Sequence, residues 1–221
     1  MKFSMMTLAL IGAMGLSTTT AAVAAEPLTF GEKQTIRIMA GQTIGYALQG
    51  ALGITNLGII SNRSAICSTL VGGIGGGLLA YKPEAGNVTY ESVVTDDDIK
   101  LAVKRMANQP AVYLAFGGEK AKEENIELLR KVLNEMSNAG YKGKIIFHAT
   151  TWGQKQAAEI IKVDAGVAAY LAKSDLAAIT LDLPNSQAAV NKVTLTNGEF
   201  KLQELGRVVL RQDLVALFKR G

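Results

Sequence analysis

The sequence has few of the residues that build metal centres and disulfides. Cys67 is the only cysteine and His148 the only histidine among 221 residues, which excludes an intrachain disulfide and a zinc site with several histidines. The motifs Gly-x-Ser-x-Gly, His-Glu-x-x-His and Cys-x-x-Cys are also absent. These absences lower the expectation of a hydrolase, a metalloenzyme or a thiol oxidoreductase, and we expect neither a cofactor nor a metal ion.

Strong charge of either sign is lacking as well. The formal net charge is +4, which becomes +3 if Lys2 is removed with a leader, and the longest run of like charge is the three aspartates at residues 96–98. So weak and even a distribution does not favour binding to nucleic acid. Cys67 lies in an apolar stretch and is expected to be a small buried hydrophobe, with an intermolecular disulfide as the alternative.

A short leader opens the chain. Lys2 precedes an apolar run at residues 5–16, and the small residues Ala-Val-Ala-Ala at 22–25 form a cleavage site. The apolar run is shorter than the roughly 20 residues that a membrane span needs. We therefore expect residues 1–25 to be a cleaved signal peptide, rather than an uncleaved anchor, and the protein to be exported to a periplasm or cell envelope.

Two apolar stretches rich in small residues, 36–60 and 64–81, follow the leader. Small residues recur in them at multiples of four positions: Gly41, Gly45 and Gly53 in the first, and Ser68, Gly72, Gly76 and Ala80 in the second. This spacing is typical of helices that pack closely inside a bilayer. We predict that residues 26–82 form a Gly-rich helical hairpin that associates with a membrane or self-assembles, so membrane lipid and a second copy of the chain are the expected partners.

Polar residues in the first stretch favour a different interpretation. Gln42, Thr43, Gln49 and Asn56 would each need a hydrogen-bond partner inside a membrane. A pair of buried helices in a soluble protein accommodates them more easily. The sequence leaves both possibilities open.

Residues 83–221 predict a separate α/β domain. Apolar runs at 111–116, 144–149 and 176–181 alternate with helical patterns at 119–138 and 152–173, which predicts a parallel core sheet with right-handed crossovers. Asn197-Gly198 predicts a hairpin at a sheet edge, and an apolar stripe predicts a helix over 207–219. The expected fold class is therefore α/β, with a small parallel-core sheet, flanking helices and an edge hairpin.

The candidate site lies at the carboxyl ends of these strands, where open parallel sheets bind ligands. Of the polar side chains at those ends, the candidates for the site are Glu119, His148, Thr150 and Asp182; Thr151, Trp152 and Asn185 lie beside them. A His-Asp pair across two strand ends supports acid-base chemistry, but no nucleophile accompanies His148, so a hydrogen-bonded structural histidine is the simpler interpretation. Gly117-Gly118 is more typical of a tight turn than of an anion site.

Three functional hypotheses follow. The first is an exported envelope protein, membrane-associated through its Gly-rich hairpin, whose α/β domain binds a protein or another envelope component. The alternative is a soluble periplasmic enzyme or small-ligand-binding protein with a site around His148. The second alternative is a secreted effector that inserts into a target membrane.

Overall fold

Seven strands form one mixed sheet in a computed structural model that describes residues 26–81 and 86–220. The strand order is β2-β1-β3-β4-β5-β6-β7. The first five strands run parallel: β1 (Asn56–Asn62), β2 (Asn87–Val93), β3 (Ala111–Ala115), β4 (Lys144–Phe147) and β5 (Leu176–Asp182). The last two, β6 (Gln187–Thr196) and β7 (Glu199–Val209), extend the sheet antiparallel. The α/β class and the edge hairpin are confirmed; the predicted signal peptide lies outside the described residues.

Helices cover both faces of the sheet. One face carries α1 (Phe30–Leu52) and α2 (Ala65–Tyr81), with α8 (Gln212–Arg220) packed beside α1. The other carries α3 (Asp96–Met106), α4 (Lys122–Asn138), α6 (Gln156–Val163) and α7 (Ala165–Leu171), and the short α5 (Ala149–Gly153) follows β4 directly. Neighbouring strand residues point to opposite cores, as with Ile59 and Ile60 in β1, because side chains alternate along a strand.

Side-chain caps fix several helix starts. The Thr29 hydroxyl accepts from the Glu32 amide while the Glu32 carboxylate accepts from the Thr29 amide, and Thr95 and Asp98 repeat this arrangement at α3. These capping boxes satisfy amides that a helix start leaves without partners. At the edge hairpin, Asn197 and Gly198 have φ of 53° and 77°, the left-handed conformation that a two-residue turn requires.

The predicted helical hairpin over 26–82 requires correction. Helix α1 ends at Leu52, Gly53 caps it with a φ of 64°, and residues 56–62 then form β1 between β2 and β3. The strand was missed because a short run buried on both faces has no period that separates it from a buried helix. The sheet crosses the boundary expected at residues 82 and 83, since β1 lies before it and pairs with β2 and β3 after it.

Glycines nevertheless bring α1 and α2 close together. A Cβ placed on Gly41 would lie 2.8 Å from the Ile74 amide nitrogen, and one on Gly45 would lie 2.6 Å from that of Leu78. On α2 the glycines in this contact are Gly73 and Gly77. The predicted row on α2, made of Ser68, Gly72, Gly76 and Ala80, is instead exposed to solvent. Five glycines between 72 and 77 offer two parallel rows, and only the docking of α1 distinguishes them.

Two smaller differences concern element ends. The predicted helical segment 152–173 divides into α5, α6 and α7, and α7 is capped by Asp164. The predicted last helix begins at Gln212, because residues 207–209 belong to β7. Within residues 26–81 and 86–220, no helix combines the length and apolarity needed to cross a membrane.

Candidate functional site

A cavity lies beyond the carboxyl ends of β3 and β4. Its main compartment, of about 720 Å³, is bounded by α1, the start of α2, the Gly118-Glu119 turn and the end of α8. Two smaller compartments, of about 40 Å³ and 10 Å³, share part of this lining and reach His148. Arg37 and Thr150 line all three compartments. The main compartment alone is of the size that binds small molecules, roughly 300–1,000 Å³.

Arg37 enters this cavity from α1 without a counter-ion. It is partly buried, and within the described chain its guanidinium makes no hydrogen bond and no ion pair. Burial lowers the pKa of Arg37, and the nearby Cys67 thiol opposes that shift. A desolvated cation without a partner is unfavourable, so this position favours an anion in the cavity.

His148 is held by a buried tyrosine. The Tyr113 hydroxyl lies 2.6 Å from His148 Nδ1, and the two rings are tilted with centroids 5.7 Å apart. Burial, followed by the positive charge of Arg37, lowers the pKa of His148 to about 3, so the imidazole is neutral at physiological pH. Burial also raises the pKa of Tyr113 well above its usual value.

The hydrogen bond to Tyr113 assigns the imidazole proton. Tyr113 is fully buried and its hydroxyl has no second partner in the described residues, so its proton is satisfied only if Nδ1 accepts it. A neutral imidazole whose Nδ1 accepts carries its own proton on Nε2. His148 lines both inner compartments and therefore presents them with an N–H donor.

Thr150 and the Gly117-Gly118 turn form the floor beside His148. The Thr150 hydroxyl has no partner among the described residues. A Cβ on Gly117 would lie 2.7 Å from Thr150 Cγ2, so the two residues are in close contact. Gly118 adopts a φ of 78°, a conformation that favours glycine. The predicted tight turn is present, and it packs against Cys67 at the start of α2.

Buried side-chain amides and a hydroxyl bind the backbone carbonyls of Phe116 and Gly117, where this turn begins. Asn62 Nδ2 donates to the Gly117 carbonyl at 2.8 Å and to Asn125 Oδ1 at 2.5 Å. Thr151 Oγ1 donates to the Phe116 carbonyl at 2.9 Å, and Gln156 Nε2 donates to the same carbonyl at 3.2 Å. Such a network limits the motion of the backbone that lines the cavity.

Three of the four predicted site residues lie at this cavity. Glu119 lines the main compartment and is exposed, His148 lines the inner compartments, and Thr150 lines them all. Asp182 does not line any of the three compartments. Its carboxylate instead accepts from the amide and side chain of Asn185 in the turn after β5, because β5 is followed by an antiparallel strand rather than by a helix.

Sequence reasoning missed Arg37 and Tyr113. No acidic residue stands three or four positions from Arg37 on α1, where the ordinary helical partner of an arginine would lie. The lack of an acidic residue at these positions indicates an arginine without an ion pair on its own helix, and sequence reasoning could have used it. Tyr113 carried none, because it lies within an apolar strand run and its hydroxyl meets His148 only through strand pairing.

The comparison with protein families covers most of the chain. A family model described as "Uncharacterized protein" matches residues 33–217. The chain belongs to this family. The match begins in α1 and ends in α8, so the family unit includes the Gly-rich helices together with the whole sheet. No curated protein matches the chain.

Solved structures give distant matches. A solute-binding protein of an ABC transporter from R. palustris, in complex with benzoate, is 12% identical with a TM-score of 0.47, covering 80% of this chain and 65% of that one. A second from Rhodopseudomonas palustris BisB5, in complex with 3,4-dihydroxybenzoic acid, is 11% identical with a TM-score of 0.45, covering 80% and 66%. An ABC domain in complex with L-Trp from Streptococcus pneumonia is 12% identical with a TM-score of 0.41, covering 65% and 41%. The chain spans less than two thirds of each of these structures, and likenesses of this degree have no weight for function.

Proposed function

We propose that the protein is an exported small-ligand-binding protein whose ligand is an anion held in the cavity around Arg37. The single observation that supports this is a partly buried guanidinium without a counter-ion, in a cavity that also offers the Nε2–H of His148 and the Thr150 hydroxyl. A bound anion supplies the missing counter-charge. Binding at such a site is favourable because folding has already removed water from the Arg37 guanidinium, so the anion does not have to supply the free energy for that step.

Binding is better supported than acid-base catalysis. A general base works best when its pKa is near the ambient pH, whereas the pKa of His148 is lowered to about 3. The predicted His-Asp pair is also absent, since Asp182 pairs with Asn185. His148 serves this proposal as a neutral donor rather than as a proton acceptor.

A titration with small anions tests the proposal. Acetate and inorganic phosphate are added at constant ionic strength to the chain from residue 26 onward, and binding is followed by the melting temperature and by the imidazole nitrogen resonances. His148 is the only histidine, so its signals need no assignment. Specific binding shifts them in the unmodified protein and not in Arg37→Met.

A matched control distinguishes a site from general attraction to a basic protein. Lys162→Met removes one exposed positive charge from α6, on the opposite face of the sheet, and should leave the titration unchanged. Equal losses in Arg37→Met and Lys162→Met, or no response to any small anion, would show that the cavity is not an anion site.

A second proposal concerns the exposed row Ser68, Gly72, Gly76 and Ala80. Its members lie on the outer face of α2, and added Cβ atoms at Gly72 and Gly76 would meet nothing within 4 Å. So smooth a surface is compatible with self-association or membrane contact. Light scattering and vesicle flotation of Gly72→Leu test this, since the substitution should weaken assembly without disturbing α1.

Export is proposed from the leader alone. Expression of the full chain in a bacterium with a periplasm, followed by mass spectrometry of the periplasmic fraction, should give a mature protein that begins at Ala25 or Glu26. Retention of Lys2 in the recovered protein would contradict cleavage.

A further inference from the structure

We infer that the ligand is a monocarboxylate with a short apolar group, whose carboxylate binds at Arg37 and whose apolar group fills the inner compartment. This rests on the proposed function and narrows it to one chemical class. The evidence is the charge balance of the cavity, the geometry of its donors, and the size and lining of the inner compartment.

The charge balance favours a single negative charge. Of the cations that line the cavity, Arg220 is already paired with Glu32 at 2.7 Å. Lys33 and Glu119 both line the outer compartment without an ion pair in the described residues, and their charges cancel. Arg37 remains as the one uncompensated charge, so a dianion such as phosphate or sulfate would leave a negative charge without a counter-charge.

The donors suit a carboxylate. A guanidinium presents two parallel N–H groups that match the two oxygens of a carboxylate. The Nε2–H of His148 and the hydroxyl of Thr150 are two further donors that have no acceptor in the described residues. All three side chains line the inner compartment of about 40 Å³, and Arg37 and Thr150 also line the main compartment. The carboxylate therefore belongs at the boundary between the two compartments, where it leaves the inner volume to the apolar group. A carboxylate there satisfies every one of these groups.

The remaining wall of the inner compartment is mostly apolar. Thr43 is its one further polar residue, and its hydroxyl already donates to the Met39 carbonyl. The apolar side chains come from α1, α2, α5, β5, β6, the segment after β7 and α8, namely Ala40, Ile44, Leu70, Ala149, Leu181, Ala188, Leu210 and Phe218. A volume of about 40 Å³ corresponds to roughly three atoms of the size of water, at about 10–15 Å³ each. The compartment therefore has room for a group of about three carbon atoms, and the end of a longer group would extend out of it.

A chain-length series tests this inference on the unmodified protein. Acetate, propionate, butyrate, hexanoate and octanoate are titrated against the chain from residue 26 onward, with 1-butanol and inorganic phosphate as comparisons. Each buried methylene should tighten binding about fourfold, which corresponds to about 0.8 kcal/mol. We expect this gain from acetate to butyrate and little beyond it, with 1-butanol and phosphate at least tenfold weaker than butyrate.

A variant and a spectroscopic readout locate the carboxylate. Ala40→Leu should fill the inner compartment and remove the gain from acetate to butyrate, while Arg37 still binds acetate. Butyrate should also raise the pKa of His148, because the bound anion cancels the positive charge of Arg37. The chain-length series requires no variant, so the inference stays testable if Ala40→Leu does not fold.

The outcomes separate the two proposals. If acetate or phosphate binds in an Arg37-dependent way and butyrate gains nothing over acetate, the inference fails while anion binding stands. Phosphate binding that equals or exceeds that of butyrate also refutes the inference. If no anion binds, both fail.

Discussion

Two adjacent glycines of α2 should respond oppositely to the same substitution. Gly76 is exposed and an added Cβ meets nothing within 4 Å, whereas a Cβ on Gly77 would lie 2.8 Å from Gln42 Cα and 2.9 Å from its carbonyl carbon. These neighbours are backbone atoms of α1 and cannot rotate away. Because carbon atoms pack at about 3.5–4.0 Å, the two helices would have to separate by about 1 Å at Gly77.

The two free-energy changes have different signs. Gly76→Ala removes the conformational penalty of a helical glycine and should stabilise the protein by about 0.5–1 kcal/mol. Gly77→Ala removes the same conformational penalty, but it also overpacks the contact with α1. Overpacking lowers the free energy of unfolding by about 1–3 kcal/mol, and we expect a value near the upper end of this range, so the variant should be less stable than the unmodified protein. For a domain of this size 1 kcal/mol corresponds to about 2–4 °C, so the two melting temperatures should differ by about 5–10 °C.

Thermal and urea unfolding of both variants measures this difference. Gly72→Ala and Gly73→Ala form an independent second pair, since Gly72 is open and a Cβ on Gly73 would lie 2.6 Å from the Ile38 carbonyl oxygen. Equal shifts within each pair would refute the packing of α1 on the Gly73-Gly77 row. A reversed order would mean that α1 packs on the row originally predicted.

Three further predictions concern the cavity and one helix cap. Arg37→Met should raise the melting temperature of the ligand-free protein by about 2–4 °C, since it removes an unpaired desolvated charge worth about 1 kcal/mol; a decrease would show that Arg37 has a structural partner. His148 is neutral in the fold, with a pKa of about 3, so between about pH 6.5 and 3 the unfolded chain binds one proton more than the folded chain. The free energy of unfolding should therefore decrease as the pH is lowered through this range, by up to about 1.4 kcal/mol per pH unit. His148→Gln should flatten that part of the urea-unfolding profile, and an unchanged slope would contradict burial as the cause. Asp164 caps α7 through the Val167 amide and accepts from Asn134 at 2.8 Å, so Asp164→Ala should cost about 1–3 kcal/mol in urea unfolding, and a loss below 0.5 kcal/mol would contradict this role.

The sequence predicted most of the elements after residue 95. Asn197-Gly198 makes a turn and the run over 111–116 gives a buried strand, because in each case the signal is local. The signals between residues 26 and 81 were misleading because they depend on distant contacts. A strand such as residues 56–62, buried on both faces, has the composition of an apolar helix, and only pairing with β2 and β3 identifies it.

The site was predicted in part for the same reason. His148 and Thr150 follow a strand, and the rule that ligands bind beyond strand ends was enough to select them. Arg37 comes from a helix on the far side of the cavity, so its role depends on how α1 crosses the sheet. Asp182 satisfied the rule and still lies elsewhere, because its strand is followed by an antiparallel neighbour.

The ion pair between Glu32 and Arg220 joins residues 188 positions apart. Together with Phe218, it places the end of α8 against the first turns of α1, and both segments line the cavity. A binding-competent cavity therefore forms only after the two ends of the described chain have come together. Ligand binding at this site reports the completed tertiary structure, and partly folded forms that retain every helix and strand but lack this closure would not bind.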